Sequence, residues 1–94
     1  MADDTCDKDC TVRNKMGLHA RPAALIVSTA NKFPCEVTLY KDGQNVNGKS
    51  IMGVLMLAAA MGTTVTVHTE GEKAKEAADA IAALFEKGFN EQLG

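Results

Sequence analysis

Apolar and polar positions change period several times along this chain, and each change predicts an element. Residues 8–14, "KDCTVRN", alternate, with Cys10 and Val12 on one side and Asp9, Thr11 and Arg13 on the other, the two-residue repeat of a half-buried strand. Residues 1–6 ahead of it read as a loose tail. From Ala20 the repeat lengthens. Ala20, Ala23, Val27 and Ala30, joined by Ala24 and Ile26, make a helix face of small residues suited to close packing on a sheet, stopping near Lys32 ahead of Phe33 and Pro34. Alternation returns at Val37 and Leu39 in "CEVTLYKDGQNVNG". It breaks at Asp42 and Gly43, where the glycine tolerates positive φ, and resumes around Val46, which together predict a hairpin.

Ser50 opens "SIMGVLMLAAAMG", a short helix with a hydroxyl at its N-cap and Gly62 just beyond its end. "TTVTVHTE" reads as a strand with Val65 and Val67 facing in and Thr64, Thr66 and His68 facing out. Residues 72–93 then place Ala74, Ala77, Ala78, Ile81, Leu84 and Phe85 at three-and-four spacing, with acids early and Lys87 late, and predict one closing helix. The order is βαββαβα. The economical packing is an α+β fold, an open-faced β-sandwich, in which a four-stranded, mostly antiparallel sheet carries three helices on one face. The other face, with Thr38, Thr66 and His68, stays wet. Neither linker nor repeat interrupts the chain, so residues 1–94 read as a single domain.

Bulk composition narrows the function classes. Apolar residues at 46% and charged residues at 23% suit a globular chain that folds unaided. Ten basic against twelve acidic residues give a net charge of −2 and no basic face for nucleic acid. The longest apolar run, residues 51–61, is shorter than the roughly 20 residues a membrane-spanning helix needs, and the acidic "MADD" start is the reverse of a signal peptide. A cytosolic location is expected. Cys6, Cys10 and Cys35 lack the spacing of a disulfide framework, and a zinc site combining them with His19 or His68 lacks the usual paired ligands, so reduced, partly buried thiols and no metal are expected.

The chemistry concentrates in "MGLHARPAA", residues 16–24. With His19 at the N-cap of the first helix, the backbone N–H groups of Ala20 and Arg21 are free to point beside the imidazole. Pro22 sits in the first turn, where its missing donor costs nothing. Those amides, the positive end of the helix dipole and the guanidinium fork of Arg21 form a cradle for an anion such as phosphate, with Gly17 shaping the turn ahead of it. A neutral imidazole is a competent nucleophile, so covalent capture of a phosphoryl group is feasible there. No P-loop, nucleotide fingerprint or metal-binding carboxylate cluster accompanies it, so the site receives and passes on phosphate rather than taking it from a nucleotide. His68, facing solvent with no polar cluster near it in sequence, reads as idle.

"GLHARPAA" resembles the active-site segment of the HPr family, the histidine-containing phosphocarriers of the bacterial sugar phosphotransferase system. "NGKSIMGVLML" is similar to that family's regulatory serine segment, and "TVTVHTEGE" to its last strand and the turn before the final helix. The resemblance implies that His19 accepts a phosphoryl group from enzyme I, at the ring nitrogen nearer the backbone, and passes it to a sugar-specific enzyme IIA, with no bound cofactor. Arg21 and the amide of Ala20, with Gly17, would steady the charge. Ser50 matches the serine that an HPr kinase/phosphorylase modifies, although as an N-cap hydroxyl it could equally do no more than satisfy a helix donor. Ile51, Met52 and Leu55 are expected to form an exposed patch near the site that docks enzyme I, the competing reading being plain core. Met16 departs from the family, which often has a small polar residue before the active-loop glycine, and the segment ahead of the first strand is several residues longer than usual. Two other readings stand beside the sugar-branch carrier. One is a regulatory binding module in which phosphorylation of Ser50 controls docking to a transcriptional regulator or an enzyme. The other is a nitrogen-branch carrier. A monomer is expected in each case.

Overall fold

The period-two segments become four strands, β1 (Thr5–Thr11), β2 (Glu36–Lys41), β3 (Gln44–Asn47) and β4 (Thr64–Glu70), and the longer repeats become three helices, α1 (Ala20–Ala30), α2 (Ile51–Met56) and α3 (Ala74–Glu86). This is a computed structural model, and it describes residues 4–94. The strands form one antiparallel sheet in the order β1-β4-β2-β3. Its register sets Leu39 opposite both Val46 and Val67, and Cys10 opposite Val65, so the apolar rows fall on one face. Ile26, Ala30, Val54, Ile81 and Phe85 pack on those rows and are fully buried with Leu39, Val65 and Val67, which makes the architecture the expected open-faced sandwich. The β2–β3 connection has positive φ at both Asp42 (49°) and Gly43 (78°), the pair of left-handed residues that a tight two-residue hairpin turn demands.

Three expectations need correction. The loose tail expected over residues 1–6 gives way at Thr5 and Cys6, which pair with Glu70 and Thr69, while residues 1–3 lie outside the described residues. Lys8 hid the start of this strand by putting a charge on the helix-facing side. Its amine reaches Asp79 of α3 at 2.8 Å, which raises the pKa of Lys8, while hydrogen bonds from Lys75 first and Lys8 second lower that of Asp79.

The second helix ends at Met56 instead of running toward Gly62. Ala58 has φ +49°, and the backbone beyond it turns so that Ala59 O accepts from the Leu18 amide at 2.9 Å. The good helix propensity of three successive alanines is overridden by this tertiary hydrogen bond.

The third helix starts at Ala74 and ends at Glu86, whereas the apolar spacing carried it to Leu93. Gly88, Phe89 and Asn90 have φ of 58°, 55° and 58°, which reverses the chain. Phe89 is completely buried, edge-on to Phe85 with ring centroids 5.1 Å apart, and this burial offsets the cost of its left-handed backbone. The segment then runs back along the loop after β1. The Lys15 amide donates to Gln92 O (2.8 Å), Gly94 N to Arg13 O (3.1 Å), and Asn14 and Leu93 form an antiparallel bridge.

No helix among the described residues is long and apolar enough to cross a membrane. Cys10 and Cys35 are buried and Cys6 is half-buried, and burial pushes the Cys10 thiol up to about 11, which makes it a poor nucleophile.

The loop before α1 is held by Gly17, whose φ is +70° and where an added Cβ would lie 2.6 Å from Ala59 O. Gly43 has an equally left-handed φ of +78° but open space around it. Gly17→Ala is therefore expected to destabilise by clearly more than Gly43→Ala, which should cost only the left-handed penalty of about 1–2 kcal/mol. Urea denaturation of both variants measures the order, and equal costs would show that the Gly17 loop is not clamped against residue 59.

Candidate functional site

The site is assembled by the start of α1 and by the segment after α3. His19 is the N-cap of α1, with extended backbone (φ −82°, ψ −165°), and its side chain makes no capping hydrogen bond. Among the described residues nothing accepts from the amides of Ala20 and Arg21, and Pro22 fills the next position. The helix start thus keeps unpaired donors at its positive end, beside an imidazole that is 39% exposed.

Of the two parts the sequence suggested for Gly17, the structure shows the turn-shaping one. Its amide donates to Asn14 O (3.2 Å), and its carbonyl accepts from the His19 amide (2.9 Å) and from Asn14 Nδ2 (2.8 Å). Its polar groups are engaged within the turn, so it shapes the loop and has no free amide to offer an anion.

Two further residues complete the site, and sequence reasoning missed both. Glu91 sets its carboxylate against His19 Nε2, at 2.9 Å from Oε1 and 3.0 Å from Oε2, accepts from Arg21 Nη1 at 3.1 Å on Oε2, and accepts from Asn14 Nδ2 at 3.0 Å on Oε1. These donors, His19 first, hold the Glu91 carboxyl below its ordinary value of 4.5 against the opposing effect of burial. Arg21 is fixed a second time by Phe89 O, which accepts from Nη1 at 2.7 Å. Asn14 is fully buried, and its Oδ1 accepts no hydrogen bond among the described residues. The signal that could have found this cluster is Gly88 directly after Lys87, a C-cap glycine that ends α3 and turns the chain back.

The arrangement fixes the ring nitrogens. An ionised carboxylate only accepts, so Nε2 of His19 must carry the proton, an assignment made from the hydrogen-bond network. In the neutral imidazole this leaves the lone pair on Nδ1, the nitrogen nearer the backbone.

The other residues singled out by the sequence fall into separate places. Ser50 is the N-cap of α2, and its Oγ accepts from Gly53 N at 3.0 Å. It lies toward the far end of α1 from His19: the neighbouring Lys49 reaches Phe33 O, beyond the end of α1, whereas it is Ala59, after α2, that meets the loop before His19. Ile51 (46%) and Met52 (68%) are exposed as expected. Leu55 is half-buried against the core, and Met56 (66%) takes its place on the surface. His68 is on the open face of the sheet, away from the helices. It is better connected than its sequence context implied, because the strand pairing supplies Asp7. The hydrogen bond that His68 donates to Asp7, with a smaller one to Glu70, raises its pKa against burial.

Comparison with known proteins identifies the family. The family model described as the PTS HPr component phosphorylation site matches residues 6–87. The phosphocarrier protein HPr of Xylella fastidiosa is 48% identical over 85 residues, covering 90% of this chain and 96% of that protein. The HPr-like protein Crh of Halalkalibacterium halodurans is 49% identical over 81 residues, covering 86% and 96%. Among solved structures, HPr from Thermoanaerobacter tengcongensis superposes with a TM-score of 0.89 at 43% identity, covering 94% of this chain and 99% of that one. Sharing sequence, fold and nearly full length with these carriers, the chain belongs to the HPr family of phosphocarrier proteins.

Proposed function

We propose that this protein carries a phosphoryl group on His19 Nδ1, accepting it from phospho-enzyme I and handing it to a sugar-specific enzyme IIA. The observation that carries the reading is the Glu91 carboxylate on Nε2, which presents Nδ1 as the nucleophile. In the step, the Nδ1 lone pair attacks the donor's phosphorus, the donor's own P–N bond breaks, and the proton on Nε2 stays in place. The phosphorylated ring then carries a positive charge that the Glu91 carboxylate balances, and the ring nitrogen remains a good leaving group for the second transfer. Unpaired amides at Ala20 and Arg21 and the remaining donors of Arg21 receive the new dianion. The protein works without a cofactor, as a carrier between two larger proteins rather than as an enzyme.

The exposed face of Ile51, Met52 and Met56 serves as the docking surface for enzyme I, with Leu55 supporting it from below. Ser50 is the regulatory position. A phosphate there sits at a helix start that tolerates negative charge, and acts by adding charge beside the docking surface rather than by reaching His19. An HPr kinase/phosphorylase is the matching modifying partner and a transcriptional regulator a possible reader of the modified form. The second reading, a regulatory module, draws on the Crh relatives, one of which is described as a catabolite repression protein. Three related structures, one of Thermoanaerobacter tengcongensis HPr and two of Crh, are described as dimers. For this chain we propose a monomer acting in the cytoplasm.

Incubation with phosphoenolpyruvate and enzyme I is expected to add one acid-labile phosphoryl group, seen by intact mass, and His19→Ala to abolish it. A stable gain at Ser50 from ATP and a kinase, with none at His19, would favour the regulatory module.

Ser50→Asp should keep the far-UV circular dichroism spectrum, since aspartate also caps a helix. It should slow transfer from enzyme I about tenfold, equivalent to about 1.4 kcal/mol of repulsion at docking. A melted fold or an unchanged rate would contradict this.

Glu91 has a depressed carboxyl in the folded state, so its contribution to stability is complete above the ordinary value of 4.5 and is lost as pH falls through the folded value. Glu91→Gln is therefore expected to destabilise at neutral pH, with the gap to the unaltered protein closing in acid. Denaturation midpoints across the pH range check this, and a gap that widens in acid would overturn it.

A further inference from the structure

Asn14 is fully buried where the loop leading to His19 meets the segment after α3. Its amide nitrogen donates twice, to Gly17 O at 2.8 Å and to Glu91 Oε1 at 3.0 Å. Both neighbours only accept, Glu91 being ionised, so the nitrogen has to face them, and Oδ1 is left buried with no partner among the described residues. A buried acceptor without a donor is a cost to folding, and what the other end of the same amide does explains it. The two acceptors are also the two that hold His19. Gly17 O accepts from the His19 backbone amide at 2.9 Å, and Glu91 Oε1 accepts from its Nε2 at 2.9 Å. One nitrogen atom thus stands a single acceptor away from both the backbone and the ring of His19. Asparagine alone puts two donors on one atom at this short reach, since serine and threonine offer one, an ionised aspartate none, and glutamine places its amide a carbon farther out.

We propose that Asn14 is a positioning residue for phosphoryl transfer, holding the Gly17 carbonyl behind the His19 backbone and the Glu91 carboxylate beside the His19 ring in one rigid frame. It neither gives nor takes a proton, and it acts through those two acceptors. Without it Glu91 keeps Arg21 and the imidazole but loses the bond that orients Oε1 from the buried side. The ring then turns more freely about its Cβ–Cγ bond, Nε2–H is no longer the enforced form, and Nδ1 spends less time in line with an incoming phosphorus. The consequence for phosphoryl transfer rests on the carrier reading above. The consequence for the ring does not.

The test compares the full chain with Asn14→Ala and Asn14→Asp, both of which remove the two donors, using urea denaturation to confirm that each is folded under assay conditions. With enzyme I and phosphoenolpyruvate, kcat for phosphorylation of either variant should fall about tenfold while KM changes by less than about twofold, because Ile51, Met52 and Met56 are untouched. Nitrogen-15 NMR should show the neutral His19 ring as a mixture of Nδ1–H and Nε2–H forms in the variants, against Nε2–H in the unaltered protein. In a Glu91→Gln background, Asn14→Ala should cost less than about threefold in kcat, because the carboxylate that it orients is gone. An undiminished kcat, a rise in KM alone, an unchanged tautomer, or the same loss in the Glu91→Gln background would each overturn the proposal. One measurement needs no Asn14 variant: in the unaltered protein the side-chain amide protons of Asn14 should exchange slowly with solvent, and fast exchange would overturn it as well. An unaltered protein that accepts no phosphoryl group at all would instead contradict the carrier reading, with the ring tautomer still deciding the role of Asn14.

Discussion

One carboxylate, that of Glu91, ties the segment after α3 to the helix start that carries His19. It reaches the imidazole, the guanidinium of Arg21 and the amide of Asn14 together, with distances between 2.9 and 3.1 Å. Each of these partners comes from the loop after β1 or from the first turn of α1, so the contact joins residues 70 to 77 positions apart. Much of the local architecture exists to make that meeting possible. The left-handed backbone at Gly88–Asn90 reverses the chain, Phe89 anchors the reversal in the core, and pairing with Arg13 and Lys15 fixes its direction.

The same contact has an electrostatic meaning. A helix start with unpaired amides and a nearby arginine is a site for negative charge, and Glu91 supplies that charge from within the chain. The carboxylate holds Arg21 in place and assigns the imidazole proton to Nε2, so that the proposed arrival of a dianion on the other nitrogen would require little rearrangement. Gly17 contributes by letting the loop press against Ala59, which sets where the imidazole leaves the backbone.

How much of this was legible in the sequence follows from the range of each interaction. Alternation at Val37, Leu39, Val65 and Val67 gave the central strands because burial of one sheet face is a local, repeating demand. His19 and Ser50 were readable as helix caps for a similar reason, since the residues that follow them begin the helical repeat. Lys8 concealed the first three residues of β1, because the partner that makes its inward position tolerable, Asp79, sits on a different helix. Ala58 to Ala60 looked helical and are not, since the hydrogen bond that turns them comes from Leu18. Phe89 kept the three-and-four spacing of α3 alive past its real end, and with α3 overextended Glu91 had no route back to His19. The part of the site within one turn of His19 was therefore visible, and the part brought by the fold was not.

The antiparallel arrangement of α1 and α2 separates the two positions that take phosphate in the proposed cycle, leaving the exposed methionine face between them as the surface that both could influence. What decides the chemistry is still the imidazole. Nitrogen-15 NMR of the His19 ring, before and after reaction with phospho-enzyme I, tests this most directly. The expected result is a proton on Nε2 in the neutral free protein and phosphorus coupled to Nδ1 in the product. A dominant Nδ1–H form, or phosphorus on Nε2, would contradict the role given to Glu91.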